Sequence, residues 1–565
     1  MKRRFLLIFL LVLLSLFLRI YKLGTIPNGL YSDEASLGYN AFALLSTGRD
    51  EFGNKWPITL KSFGDYKPPM SAWLDIPSVF VFGLNEFSVR LPSAVSGLIT
   101  ILIVYFISKE LFKELIEKSD SYKYLPQVSA LLIAISPWHI LFTRSNMLVG
   151  EEAMFIAGGF LFFIKGLKAQ YFFILSSIFF TAAIYTYYGA RITIFCLMFL
   201  LLLIFKKELL KKKKPLAIAV ICGATLLLPL FHSIIKNPST LTGRAKTISI
   251  FYDQDIKLKL WKAHTLDGPN YPTILSRFFS NKPYLYLNNI FMRYLEHYSF
   301  SFLVVNGDSQ TPFNLKRMGV EYLPSFLFFL VGSYFIIRNK TKKAMALLSY
   351  LLVSPVAASF TFMTPAANRS FNLVVPFNIL CALGIVVCII YAKKIIGNKF
   401  TISIISIIYT ISLIFFVNTY FFQIPKNYPN LWHFGRKEMV KKISNIENNY
   451  NNIIVSNSQG PAYIWFLFYK KYNPSIFNNS HIINNMPDEY GFINVDSFNK
   501  YKFVKPFNWG TLTKSENDLY VGFENDIPDS WTGIQGGKVY TSKVIDRIFY
   551  PDGSTEFKFV EIRPI

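Results

Sequence analysis

The sequence predicts an all-α polytopic membrane domain followed by a small α/β or α+β domain, and three observations lead there. First, apolar segments recur at close to the roughly 20 residues needed to cross about 30 Å of hydrocarbon, in a chain of 565 residues that is 52% hydrophobic and 16% charged. Second, basic residues gather in short clusters between those segments: Lys2-Arg3-Arg4, Lys109 to Lys123, Lys165 and Lys168, Lys206 to Lys214, Arg338 to Lys343, and Lys393 to Lys399. Third, the chain changes character after residue 421. Asparagine becomes frequent, and strand-like runs appear (IIVSNS, AYIWFLFY and DRIFYPDGSTEFKFVEI), the last with a PDG turn between two extended halves.

The spans fall near 5–21, 90–108, 126–143, 153–168, 171–188, 191–206, 215–235, 321–338, 344–362, 372–392 and 401–421, about eleven in all. The basic start followed by FLLIFLLVLLSLFL lacks a small-x-small cleavage site and reads as an uncleaved first span. With Lys2-Arg3-Arg4 on the cytoplasmic side, every later basic cluster also falls there, and the cytoplasmic segments hold about 22 Lys/Arg. The net charge of +25 is thus a topology signal in a multi-pass plasma-membrane protein. Nucleic-acid binding is set aside, because no groove-reading motif accompanies the charge. Cys196, Cys222, Cys381 and Cys388 all lie in apolar segments without metal-ligand spacing and read as small buried residues. The six histidines show no ligand spacing and read as structural.

The same topology places three long segments outside: 22–89, 236–320 and 422–565. In the first, Ser32 is positioned to cap a helix over about 33–46 that Gly48 ends, and Pro68-Pro69 to open a second helix through Trp73 to Val81. These are expected to lie on the membrane surface as interfacial helices. A helix is expected over about 433–447 in the last segment, and the domains divide as 1–421 and 422–565.

Four places carry candidate chemistry, each with a plainer alternative. Asp33 and Glu34 suit the first turn of a helix electrostatically, but they follow a span immediately and face an outer rim. Arg144, Glu151 and Glu152 lie in or beside apolar sequence, where ionisable groups are paired or functional; an interfacial ion pair is the alternative. In GDYKPP, Asp65 precedes Lys67, whose point charge beside a helix start suits a phosphate, unless it is simply solvated. Arg369, in NRSFN, offers a fork for phosphate oxygens or marks the membrane boundary by snorkelling.

The motifs YSDEASLGYNAF, GDYKPPMSAWL, FGLNEFSVRLPSAVSG and TRSNMLVGEEA, with VNGDSQ and NRSFN more loosely, occur in this order over about residues 1–395. Together they resemble the GT-C superfamily of membrane glycosyltransferases, in the branch of protein O-mannosyltransferases and aminoarabinose transferases. The resemblance implies transfer of a sugar from a polyprenyl-phosphate donor to an acceptor hydroxyl on the outer face, with inversion. It makes Asp33 the catalytic carboxylate with Glu34 beside it, and gives the donor phosphate to Lys67; Arg369 joins Lys67 there by its own chemistry. Glu151 or Glu152 takes the second acidic position, supported by Arg144 and Asp65. The acceptor is a protein, a lipid glycan or a cell-wall polymer. No cofactor is required by the resemblance; members differ in metal need, and a divalent cation would fall to Asp33 and Glu152. The alternative of a different class is a flippase or transporter of lipid-linked glycans, which would place its essential polar residues at mid-membrane.

Overall fold

A computed structural model describes residues 2–240, 248–252, 255–268, 270, 272–310, 312–393, 395, 397–483 and 493–565. Parts of the 236–320 segment and of the basic cluster at 393–399 lie outside the described residues. The chain divides into two compact units: the segments up to Tyr21 and from Ser93 to Thr419 form the larger, and Lys22–Pro92 with Tyr420–Ile565 form the smaller. The sequence-based division at 421 lies near the second junction but misses the first, because residues 22–92 share a core with the C-terminal segment.

The larger unit is helical. Among the described residues four helices are long and apolar enough to cross a bilayer: Glu86–Leu111 (which begins in the smaller unit), Lys213–Lys236, Phe371–Ala392 and Asn398–Asn427. A fifth candidate, Asp120–Ile135 with Pro137–Thr143, bends by 59° at Ser136, where proline supplies no N–H to the preceding turn. Ser136 Oγ accepts the His139 N–H at 3.2 Å and donates to Glu321 at 2.7 Å, so both helix end and side chain are satisfied. The expected spans at 171–188, 191–206, 321–338 and 344–362 contain helices of 13, 17, 17 and 12 residues. These are shorter than a full crossing, so the expected eleven exceeds what helix length alone supports. Leu323–Asn339 and Val374–Ala392 cross at Gly332 and Gly384. A Cβ built on either glycine would meet backbone carbonyl oxygens of the facing helix, at Leu380 and Phe328. Small residues are what allow two apolar helices this close an approach.

In the smaller unit, the first outer-loop sequence forms a helix over Ser32–Thr47, with Tyr31 rather than Ser32 at the cap and Gly48 ending it at φ 67°. A two-stranded hairpin follows, β1 (Leu60–Ser62) and β2 (Asp65–Lys67), paired Ser62 to Asp65. Its turn residues Phe63 and Gly64 both have positive φ, 55° and 76°, the geometry that matches the twist of a tight hairpin. Pro68-Pro69 then lead into the Met70–Phe82 helix, as expected.

The C-terminal segment builds a mixed sheet in the order β4-β5-β6-β3-β7-β10-β9-β8. The strands are β3 (Asn452–Ser456), β4 (Ile482–Ile483), β5 (Val495–Phe498), β6 (Tyr501–Val504), β7 (Asp518–Phe523), β8 (Thr532–Gln535), β9 (Lys538–Phe549) and β10 (Thr555–Pro564). β3 runs parallel to β6 and β7, and the other pairs are antiparallel. The PDG hairpin joins β9 to β10 as read, and the expected helix is found at Arg436–Ile446. AYIWFLFY is a correction: Tyr463–Tyr469 is a helix. Six consecutive residues of it, Tyr463 to Phe468, are buried, and a continuous apolar run carries no period to separate strand from helix. Its side chains join Tyr39, Ala35 and Val89 in one apolar core.

Candidate functional site

The acidic pair at the start of the Ser32–Thr47 helix separates into two environments. Glu34 is sealed: its carboxylate and the Arg90 guanidinium are both fully buried and meet by two hydrogen bonds, of 2.9 and 3.1 Å. Glu34 also accepts the Tyr31 backbone N–H at 3.0 Å. Arg90 uses its remaining donors on the carbonyls of Leu23 (3.2 Å), Pro27 (3.0 Å) and Gly29, tying down the turn before the helix. The expectation of Glu34 as a catalytic partner is therefore corrected, because a carboxylate closed on all sides by its own chain has no face for a substrate.

Asp33 points the other way. Its side chain is 38% exposed, and its Oδ1 receives the Lys67 ammonium at 2.5 Å. Lys67 ends β2, and its ammonium also lies 4.6 Å from the centre of the Phe63 ring in the hairpin turn, a cation–π contact that steadies the charge. Asp65, two residues earlier, projects from the same face of the strand as Lys67. The sequence-predicted Asp33, Asp65 and Lys67 are thus brought onto one helix start and one hairpin.

Two nearby groups were missed from the sequence. Glu51, fully buried, accepts from Asn40 at 3.1 Å, Tyr463 at 3.2 Å and Ser62 at 3.4 Å. Burial first, and the neighbouring Asp50 second, raise its pKa to about 8, with Lys67 acting in the opposite sense. His433 packs its ring 4.9 Å from Tyr31 and 5.0 Å from Trp465. Burial and Arg436 push its pKa down to about 3 while Asp33 pulls upward, so the imidazole is neutral beside the carboxylate. The sequence does carry a signal for Glu51: RDEF repeats the acidic doublet of SDEA. His433 offered none, since more than 390 residues separate it from Asp33 in the sequence.

The other predicted residues belong to the larger unit. Arg144 donates to the carbonyls of Leu18 (3.0 Å) and Tyr21 (2.8 Å), capping the first helix. Glu151 and Glu152 open the Val149–Gly166 helix and are buried. Asn372 donates to Glu152 at 3.0 Å, and Ser93 faces Glu151. Arg369 donates to Thr361 Oγ1 at 2.8 Å and to the Met363 carbonyl at 3.3 Å. It also acts electrostatically on buried Asp308, whose pKa burial raises to about 6. Among the described residues, no group of three or more His, Cys, Asp or Glu side chains is placed to hold a metal ion. Asp33 already meets an ammonium, a poor setting for a divalent cation.

Chemically, the smaller unit presents a half-exposed carboxylate and a cation in contact. The first can take a proton and the second can meet an anionic oxygen. Residues 66–232 match a protein family described as dolichyl-phosphate-mannose-protein mannosyltransferase. Over the whole chain, the structure resembles ArnT from Cupriavidus metallidurans bound to undecaprenyl phosphate, with a TM-score of 0.55 and 13% identity over 98% of this chain and 97% of that one. The fold is that of ArnT. The apo form of the same ArnT gives a TM-score of 0.52 at 12% identity, covering 82% of this chain and 84% of the other. No curated protein sequence matches.

Proposed function

We propose that this protein is a GT-C glycosyltransferase that moves a sugar from a polyprenyl-phosphate donor to an acceptor hydroxyl at the outer face of the membrane, with inversion. The observation that carries the reading is the half-exposed Asp33 carboxylate held 2.5 Å from the Lys67 ammonium. ArnT supports the donor class, since one of its structures holds undecaprenyl phosphate. In the reaction, the acceptor oxygen bonds to the anomeric carbon as the bond from that carbon to the phosphate oxygen breaks. The hydroxyl proton passes to Asp33, which is general-base catalysis. The electron pair of the broken bond leaves on phosphate, where Lys67 neutralises the growing charge. Lys67 would exchange Asp33 for phosphate when donor binds, freeing the carboxylate to accept the proton. Attack from the face opposite the leaving phosphate inverts the centre, as in single-displacement glycoside chemistry. Arg369 is proposed as a further cation for donor phosphate, while Glu34 and Arg90 hold the helix start in place. Glu151 and Glu152 are proposed as the second acidic position.

The test is sugar transfer in membranes supplied with a panel of labelled polyprenyl-phosphate sugars, comparing wild type with Asp33→Asn and Lys67→Gln. Loss of about 10²–10⁴ in rate is expected for Asp33→Asn. Wild-type transfer by a folded Asp33→Asn protein would overturn the assignment of the base. Absence of transfer by the wild type with every donor would overturn the enzymatic reading in favour of transport.

A further inference from the structure

Between residues 255 and 296 the larger unit carries three helices, Asp255–Asp267, Thr273–Phe279 and Lys282–Glu296. They are unusual in exposing large apolar side chains and cations together. Trp261, Leu266, Ile274, Phe278, Leu287 and Phe291 are each more than half exposed, reaching 86% at Leu266. On the third helix, Tyr284, Leu287, Phe291 and Leu295 are all exposed, at spacings that keep them on one stripe. Interspersed with these are exposed Lys257, Lys259, Lys262, Arg277 and Lys282. The segment holds six Lys/Arg against three Asp/Glu. Two of those acids are occupied internally: Asp267 accepts from Ser276 at 2.5 Å, and Glu296 accepts from Thr364 at 2.8 Å. None of the three helices is long and apolar enough to span. Exposed tryptophan, leucine and phenylalanine among lysines instead suit the headgroup boundary, where rings sink shallowly and long cationic side chains reach the phosphates.

The base of the third helix grips the loop that leads to Arg369. Arg293 donates to the Thr361 carbonyl at 2.7 Å, and Thr364 donates to Glu296. His297 donates through Nδ1 to the Arg293 carbonyl at 2.8 Å, leaving Nε2 to accept the Ala366 N–H at 3.2 Å. Thr361 Oγ1 in turn receives Arg369. Arm, loop and arginine are thereby connected through explicit hydrogen bonds.

We infer that these three helices form an arm that docks on the anionic phospholipid headgroups of one leaflet, and that docking steadies the loop presenting Arg369. The occupant is a lipid surface because the exposed face combines apolar rings with an excess of cations, matching a layer of acyl chains topped by phosphates. This inference does not depend on which reaction the protein performs, and its test needs no turnover.

The full chain is reconstituted in vesicles of phosphatidylcholine alone or with about one third phosphatidylglycerol, whose negative surface charge attracts nearby lysines. Amide hydrogen exchange is followed in peptides covering 255–296 and 361–369. Both regions are expected to exchange several-fold more slowly with anionic lipid, and 0.5 M salt or the Lys257→Gln/Lys259→Gln/Lys262→Gln variant should remove the difference. The substituted lysines are exposed, so the fold is not at risk. Brominated lipids should also quench Trp261, read as the difference between wild type and Trp261→Phe. Exchange that ignores lipid charge, or a Trp261 that brominated lipid leaves unquenched, would overturn the docking. Protection of 255–296 without any change at 361–369 would overturn the link to Arg369.

Discussion

Asp33 and Glu34 are neighbours in sequence with opposite fates, and the difference is set by which way a helix turns its first two side chains. The consequence is a separable pair of mutants. Asp33→Asn breaks an ion pair in which the carboxylate is half-exposed, so the expected stability change is ~1 kcal/mol while transfer collapses. Glu34→Gln strands the Arg90 guanidinium in a fully buried place and is expected to lose about 3–5 kcal/mol. Thermal unfolding of purified protein in detergent, alongside the transfer assay, distinguishes the two; equal destabilisation by both would contradict the geometry. Glu51 gives a pH signature of its own. Its folded pKa of about 8 lies above the ordinary 4.5, so the folded state keeps the proton longer than the unfolded chain. The stability it contributes is complete below about pH 4.5 and is lost as pH rises towards 8. Glu51→Gln should flatten that part of the Tm–pH profile, and an unchanged slope would mean the residue ionises normally.

At the scale of elements, periodicity was a good guide wherever one face differed from the other, and a poor one where burial was complete. The helices at Ser32–Thr47 and Met70–Phe82 were legible because the acidic first turn of one, the prolines before the other and a glycine stop after each bracket them. The Tyr463–Tyr469 helix was not, since every position from Tyr463 to Phe468 is buried and nothing polar alternates. Lys67 and Asp33 were each legible as candidates, but their contact depends on a hairpin whose Phe63-Gly64 turn lacks the Asn-Gly or Asp-Gly signature of a tight hairpin. Glycine contacts make the sharpest prediction at this scale. Because Gly332 and Gly384 press against carbonyls of the opposite helix, Gly384→Leu should force the two helices apart. Overpacking of this kind costs about 1–3 kcal/mol or more, visible as a lowered Tm or as aggregation in detergent gel filtration. Gly397→Ala, with no atom within 4 Å of an added Cβ but a φ of 83°, serves as a control that strains the backbone without touching this crossing.

For the whole molecule, the least legible feature was that one compact unit is made from two distant stretches of chain. Composition marked where the C-terminal segment begins, but nothing local revealed that Leu30, Tyr39, Phe63 and Val89 share a core with Trp465, Phe466 and Phe559. Truncation after residue 421 should therefore do more than remove a peripheral domain. It exposes the apolar sides of the first loop, and the product is expected to be aggregated or degraded; a monodisperse, stable 1–421 protein would argue against a shared core.

That discontinuity also sets a schedule. Asp33 and Lys67 emerge early in synthesis, yet the strands and helices that complete their surroundings come from the final quarter of the chain. At about 5–20 residues per second, the site-bearing segment waits on the order of tens of seconds, while the intervening helices are made, before its core can close. Assembly of the proposed reaction centre thus waits on the segment after Tyr420, and a chain whose translation stops before it is never equipped to react.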